Sequence, residues 1–209
     1  MGNSMQHWNG NQMCVIDTET TGLNPLYNEI IQIAILPLDS NIVPRKDVAP
    51  FYINLIPEFP ERADREAMKI NKINIKDISV GSLDKEKAKD LLIDWIGKLG
   101  LPTTKWGNPK KIIPLGQNYA FDRSFIEQWL GRDMYEEYFH YAFRDTMRSA
   151  IYLNDRAACH AEKVPYSKVG LGWLCSQLKV QHERGHDALQ DCISTAEVYR
   201  RLIAQGVMG

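Results

Sequence analysis

Three short, largely apolar runs come before any helical period in this chain, at residues 13–16, 30–36 and 51–55, with Pro37, Pro44, Pro50 and Pro57 punctuating the connections. Runs of this length bounded by turn chemistry read as strands, and together they read as a three-stranded meander. Helical spacing begins only afterwards, at residues 61–70 and 84–99, the second placing Ala88, Leu91, Leu92, Trp95, Ile96 and Leu99 on one side. Residues 111–115 are a further strand and 116–118 a turn. Residues 119–130 form a helix with Phe125, Ile126, Trp129 and Leu130 as its stripe. Helices near 146–154, 171–178 and 187–203 complete the chain. Strands first, then strands and helices mixed, predict a three-layer α/β architecture, its central mixed sheet of about five strands flanked by helices.

The 209 residues are 44% hydrophobic, enough for one buried core. Residues 1–11, with Gly2, Asn3, Ser4, Asn9, Gly10 and Asn11, read as a polar, mobile lead-in, and 12–209 as a single domain. Twenty-five basic residues against 26 acidic ones give a formal charge of -1, so no global field draws the chain onto phosphate. Nucleic-acid binding would have to be local. Lys105, Lys110 and Lys111, or Arg200 and Arg201, could supply it or could simply be solvated faces.

Cys14, Cys159, Cys175 and Cys192 make no C-x-x-C pair, and the N-terminus lacks a signal-peptide pattern, so a reduced, cytoplasmic setting is expected. Cys159-His160 has no second pair at zinc-like spacing. No apolar run approaches the roughly 18 residues a membrane span requires, and no membrane association is expected.

The chemistry gathers at a few carboxylates. Asp17 and Glu19 close the first apolar run two residues apart, so the period of 2 points both to one face of the sheet. That is either a solvated strand end or a site, and strand ends are where α/β folds place their sites. Asp122 lies four residues before Ile126 on a stripe that should face the core, where an ionised carboxylate must be paired, capped or bound to metal. Its first-turn position near free N–H groups is the alternative explanation. Asp187 and Gln190 match a capping box. That box leaves His186 in the preceding loop after Gly185 and Asp191 one turn inside the helix, beside Ala188, Leu189, Cys192, Ala196, Tyr199 and Ile203. Alone, His186 reads as a surface loop histidine.

Together these residues constrain more. Four acids brought into one cleft cannot all stay ionised without cations, and an all-oxygen ligand set selects a hard ion, Mg²⁺ or Mn²⁺. Two such ions would stabilise both the attacking and the leaving oxygens of a phosphoryl displacement, with histidine deprotonating the water.

The order Asp-x-Glu, Asp, His-x-x-x-x-Asp resembles the DEDDh family of 3'-to-5' exonucleases. Residues 17–23 (DTETTGL) resemble the first motif nearly residue for residue, 118–122 (NYAFD) the second and 186–191 (HDALQD) the third. Residues 70–75 and Asp145-Thr146 resemble connecting segments, and the likeness spans roughly 13–203. One departure is Gln117, where the family often has His before the Asn.

The resemblance implies a ribonuclease H-like fold, Asp17, Glu19, Asp122 and Asp191 as ligands of two Mg²⁺ or Mn²⁺ ions, and His186 as general base. It also implies that Thr18, Thr20, Gly22 and Leu23 contact the 3'-terminal nucleotide, Leu23 packing on a base, with Asn118 near the scissile phosphate. The expected function is stepwise hydrolysis from the 3' end of single-stranded nucleic acid, releasing nucleoside 5'-monophosphates. DNA is preferred over RNA because the Thr-Thr-Gly-Leu segment is closer to DNA-proofreading and DNA-degrading members. An exoribonuclease similar to ribonuclease T or oligoribonuclease is the alternative within the class, and a non-catalytic nucleic-acid or partner-binding module the alternative outside it. A polymerase or other replication or repair partner would fit the lack of net basic charge, by holding the substrate.

Overall fold

The structure, a computed structural model, describes residues 10–74, 81–182 and 185–205. Residues 1–9 of the expected lead-in and the last residue of the 70–75 segment lie outside the described residues.

Five strands form one mixed sheet in the order β3-β2-β1-β4-β5. The central strand β1, Met13–Thr20, is apolar on both faces until it reaches Asp17. β2, Ile30–Pro37, pairs with it antiparallel, setting Asp17 opposite Ala34 and Glu19 opposite Gln32, with the register slipping between Glu19 and Thr20. β3, Phe51–Asn54, pairs antiparallel with β2, so the expected meander is present. β4, Ile113–Gly116, and the two-residue β5, Arg144–Asp145, extend the sheet in parallel on the other side of β1. Because β1, β4 and β5 run the same way, Thr20, Gly116 and Asp145 finish at one edge, where an α/β sheet presents its site.

Alternation along β1 divides the core. Cys14 and Ile16 pack with Leu92, Trp95 and Ile96 of α2, Lys85–Lys98, and with Phe125 and Ile126 of α3, Tyr119–Leu130. Met13 and Val15 point oppositely, onto Ala188, Cys192 and Ala196 of the last helix. Burying one Ile or Leu in this way contributes on the order of 2 kcal/mol, so the two-sided pattern of β1 fixes helices on both faces. A third cluster holds Ala150 and Leu153 of one late helix, Leu174 and Leu178 of the next, and Val198 and Leu202 of the last. The result is the three-layer α/β arrangement.

Several local expectations are corrected. The 61–70 helix is split into a short 3-10 turn at Pro60–Arg62 and α1, Arg65–Asn71. Asp64 restarts the helix, its carboxylate accepting the amides of Glu66 at 2.7 Å and Ala67 at 3.1 Å. Leu91 and Ile203 are exposed rather than core, at 44% and 38%. α4, Arg132–Tyr138, and β5 were not anticipated, and α5, Thr146–Cys159, runs five residues beyond its expected end at 154. α6, Leu171–Leu178, stands as expected, and α7 spans Ala188–Gln205. Among the described residues, no helix is long and apolar enough to cross a membrane.

Candidate active site

β1 delivers Asp17 and Glu19 to the sheet edge, Glu19 buried and Asp17 partly so. Asp122 comes from the first turn of α3 and is 3% exposed. Both explanations for it hold, since it sits near the helix start and also points inward. Its Oδ1 accepts the Thr18 amide at 2.9 Å and the Thr18 hydroxyl at 2.8 Å, tying the second motif to the first. α3 starts here because Asp145 at the end of β5 accepts the amides of Asn118 at 3.3 Å and Tyr119 at 2.8 Å. Asn118 itself is left-handed, with φ 59°, and exposed.

Asp191 is delivered by α7, whose start is fixed to the sheet. The Ala188 amide donates to Gln32 Oε1 at 2.9 Å, and Gln32 Nε2 donates to Asn54 at 2.9 Å. Asp187 acts as expected in one half of the box, accepting the Gln190 amide at 3.0 Å, while its other oxygen accepts the Tyr52 hydroxyl at 2.9 Å. Asp191 is buried, its Oδ2 accepting the His186 amide at 3.2 Å. Its Oδ1 is buried with no hydrogen-bond partner among the described residues. His186 stands exposed in the loop with φ 71°.

Among the described residues, one group of three acidic or histidine side chains could hold a metal ion. Ligand atoms of Glu19, His186 and Asp191 lie within 4.8 Å of one another. Burial, and then the charges of Asp122, Asp191, Glu19 and Asp187, hold the Asp17 carboxyl well above the usual carboxylate range. Burial followed by Asp191, Asp122 and Asp187 pushes Glu19 up to about 8. Burial raises Asp122 to about 7 despite the lowering effect of its two Thr18 bonds, and raises Asp191 although the His186 amide and the nearby imidazoles oppose it. Crowded carboxyls that resist ionisation, all oxygen donors apart from one imidazole, and an unpartnered buried oxygen suit a hard divalent cation.

The remaining expected contact residues differ in character. Leu23 is 81% exposed and Asn118 is also at the surface, both open to a ligand. Thr18 and Thr20 are buried and use their hydroxyls internally, on Asp122 and on the Gly22 carbonyl at 2.7 Å. Gly22 is packed so closely on Asn28 that a Cβ would stand 2.5 Å from its carboxamide. Gln117, at the departure from the family pattern, donates to the Val169 carbonyl at 2.8 Å and accepts from Thr146. Arg200 and Arg201 are paired with Glu197 at 2.7 and 2.6 Å, and Lys110 and Lys111 line a pocket with Ile93, Leu101 and Tyr138.

Sequence reasoning missed His182, whose Nδ1 lies 3.6 Å from Asp191 Oδ1 and 3.2 Å from the Ser194 hydroxyl. Its only signal in the sequence is a second histidine four residues before His186.

A family model described as Exonuclease matches residues 14–101. Oligoribonuclease of Buchnera aphidicola subsp. Acyrthosiphon pisum (strain APS) is 32% identical over 138 residues, covering 62% of this chain and 67% of that protein. Ribonuclease T of Wigglesworthia glossinidia brevipalpis is 25% identical over 194 residues, covering 90% and 83%. Among solved structures, E. coli exonuclease I in complex with a dT13 oligonucleotide superposes with a TM-score of 0.68 at 18% identity, covering 92% of this chain and 41% of that one. Cell-death related nuclease 4 gives 0.67 at 17%, covering 94% and 64%. The chain thus spans less than two thirds of either structure's length, and these likenesses show the fold. With the fold, the motif order and the sequence relatives in agreement, the chain belongs to the DEDDh family of exonucleases.

Proposed function

We propose that the protein is a metal-dependent exonuclease that hydrolyses the 3'-terminal phosphodiester of single-stranded nucleic acid, DNA in preference to RNA. The observation that carries this reading is the buried Oδ1 of Asp191, which no hydrogen bond reaches, beside Glu19 and His186. A buried carboxylate oxygen without a donor is costly, and a cation offsets that cost.

Asp17, Glu19, Asp122 and Asp191 would hold two Mg²⁺ or Mn²⁺ ions, which when bound supply charge neutralisation at the phosphoryl oxygens. His186, exposed and on a loop, takes the proton from the attacking water as the new P–O bond forms. The bond from phosphorus to the preceding 3' oxygen breaks, and that oxygen takes a proton from solvent, leaving a 3'-hydroxyl on the shortened strand and a free nucleoside 5'-monophosphate. Thr18 holds Asp122 in place from the backbone and the side chain at once. Leu23 offers an exposed apolar face for the terminal base and Asn118 a polar group for the phosphate. Stacking and backbone contacts of this kind tolerate either sugar.

The preference for DNA rests on the Thr-Thr-Gly-Leu segment and on the fold shared with exonuclease I, which has been solved with dT13. A second reading, an exoribonuclease, is favoured by the names of the two sequence relatives, oligoribonuclease and ribonuclease T. Matched 5'-labelled DNA and RNA oligonucleotides with Mg²⁺ or Mn²⁺ separate the two. Faster stepwise shortening of DNA supports the first reading, and faster shortening of RNA replaces it with the second. A polymerase or other replication or repair partner belongs to the same proposal and is tested by co-purification.

A further inference from the structure

His182 lies outside every motif that carries the family resemblance, yet its ring is wedged between two parts of the site. The Ser194 hydroxyl lies 3.2 Å from the Gln181 carbonyl, to which it donates its one hydrogen. With that hydrogen on the carbonyl, the hydroxyl can only accept from the imidazole 3.2 Å on its other side, the arrangement in which His182 carries its hydrogen on Nδ1. The same Nδ1 stands 3.6 Å from Asp191 Oδ1, the buried oxygen that no hydrogen bond reaches. Asp191 is therefore flanked on both oxygens, by the His186 amide on Oδ2 and by the His182 ring beside Oδ1. On its other side the ring meets the loop backbone, since a Cβ on Gly185 would come within 3.1 Å of His182 Nε2.

We propose that His182, in its Nδ1–H tautomer, is a positioning residue that sets the rotamer of Asp191 and the height of the loop carrying His186. The imidazole is anchored by Ser194, one turn further along α7 than Asp191, so ring and carboxylate are referred to the same helix. A metal ligand commonly depends on such an outer partner for its orientation. This inference rests on the proposed nuclease reading, in which Asp191 holds cation and His186 takes a proton.

The test compares wild type with His182→Leu, His182→Asn and His182→Gln. Asparagine places an amide N–H near the Nδ1 position, whereas glutamine places it near Nε2. For each, kcat, KM and the Mg²⁺ concentration for half-maximal activity are measured on a single-stranded oligonucleotide, beside the thermal midpoint without metal. Expected is a roughly 10–100-fold fall in kcat and a raised Mg²⁺ requirement for His182→Leu, the range typical of lost outer-shell partners, with oligonucleotide KM little changed. His182→Asn should recover most of the loss and His182→Gln should not. Equal loss in Asn and Gln variants, no loss in His182→Leu, or a loss that merely follows the thermal midpoint would overturn the proposal. If wild type cleaves no DNA or RNA, the nuclease reading fails separately. Mn²⁺ affinity by calorimetry then decides the role of His182: weaker binding in His182→Leu that His182→Asn restores sustains it, and any other pattern rejects it.

Discussion

Asp122 Oδ1 accepts two hydrogen bonds from one residue, the amide of Thr18 at 2.9 Å and its hydroxyl at 2.8 Å. One threonine thereby locks a carboxylate from α3 onto the strand that supplies Asp17 and Glu19. The residue between the two strand acids points to the opposite face, which is why it can reach the helix on that side.

Thr18→Val keeps the shape and the amide donor but removes the hydroxyl. We expect a stability loss of about 1 kcal/mol, the usual net value of one hydrogen bond, and a roughly tenfold fall in kcat as Asp122 loosens. Thr18→Ser should restore both. Urea unfolding and single-turnover rates check this, and an unchanged rate in Thr18→Val would remove Thr18 from the positioning of Asp122.

The carboxyl cluster makes a prediction about pH. Glu19 at about 8 and Asp122 at about 7 lie above their unfolded values of 4.5 and 3.8, so the fold retains protons that the unfolded chain has released. Their contribution is fully present below the unfolded values and is lost as pH rises through the folded ones. The metal-free protein should therefore be more stable near pH 5.5 than near pH 8, with a Tm higher by at least about 3 °C, the shift roughly 1 kcal/mol produces at this chain length. Mg²⁺ or Mn²⁺ should recover stability at pH 8, because cations favour the ionised carboxylates. Calorimetric scans at both pH values, with EDTA and with metal, would show a flat profile if the cluster carried no such strain.

His186→Ala should lower kcat by about 100-fold or more, the scale of a lost general base, while stability changes by under about 0.5 kcal/mol because the ring is exposed. Its place in the group with Glu19 and Asp191 adds a second expectation, a raised Mn²⁺ requirement. Activity within threefold of wild type would assign the proton to another acceptor.

Gly22→Ala probes the loop beneath Leu23. The new methyl would stand 2.5 Å from Asn28, whose side chain also accepts the Asn24 amide at 3.0 Å and donates to the Arg62 carbonyl at 3.0 Å. Displacing it should cost about 1–3 kcal/mol, as overpacking does, and raise KM more than it lowers kcat. Thermal midpoints and steady-state kinetics on one oligonucleotide measure both effects.

The parts of this molecule that were legible in the sequence are those governed by a short period. Two-residue alternation placed Asp17 and Glu19 on one face, helical spacing marked the bounds of α3, and the Asp187 capping box the start of α7. What escaped notice depends on distant partners. Gln32 reaches the Ala188 amide across 156 residues, and nothing near Gln32 announces that role. β5 is two residues long and exists only because β4 lies beside it, while the break before α1 required seeing Asp64 as a cap rather than one more helical acid. His182 was hidden because a lone histidine gains meaning only once α7 turns Asp191 and Ser194 toward it.

The most direct test of a cation-dependent carboxylate site is the fate of a 5'-labelled single-stranded oligonucleotide incubated with wild type or Asp17→Ala, in Mg²⁺ or in EDTA. A descending ladder of products is expected only for wild type in Mg²⁺, with Asp17→Ala still folded. Shortening that persists in EDTA or in Asp17→Ala, or no shortening of either DNA or RNA by wild type, would contradict it.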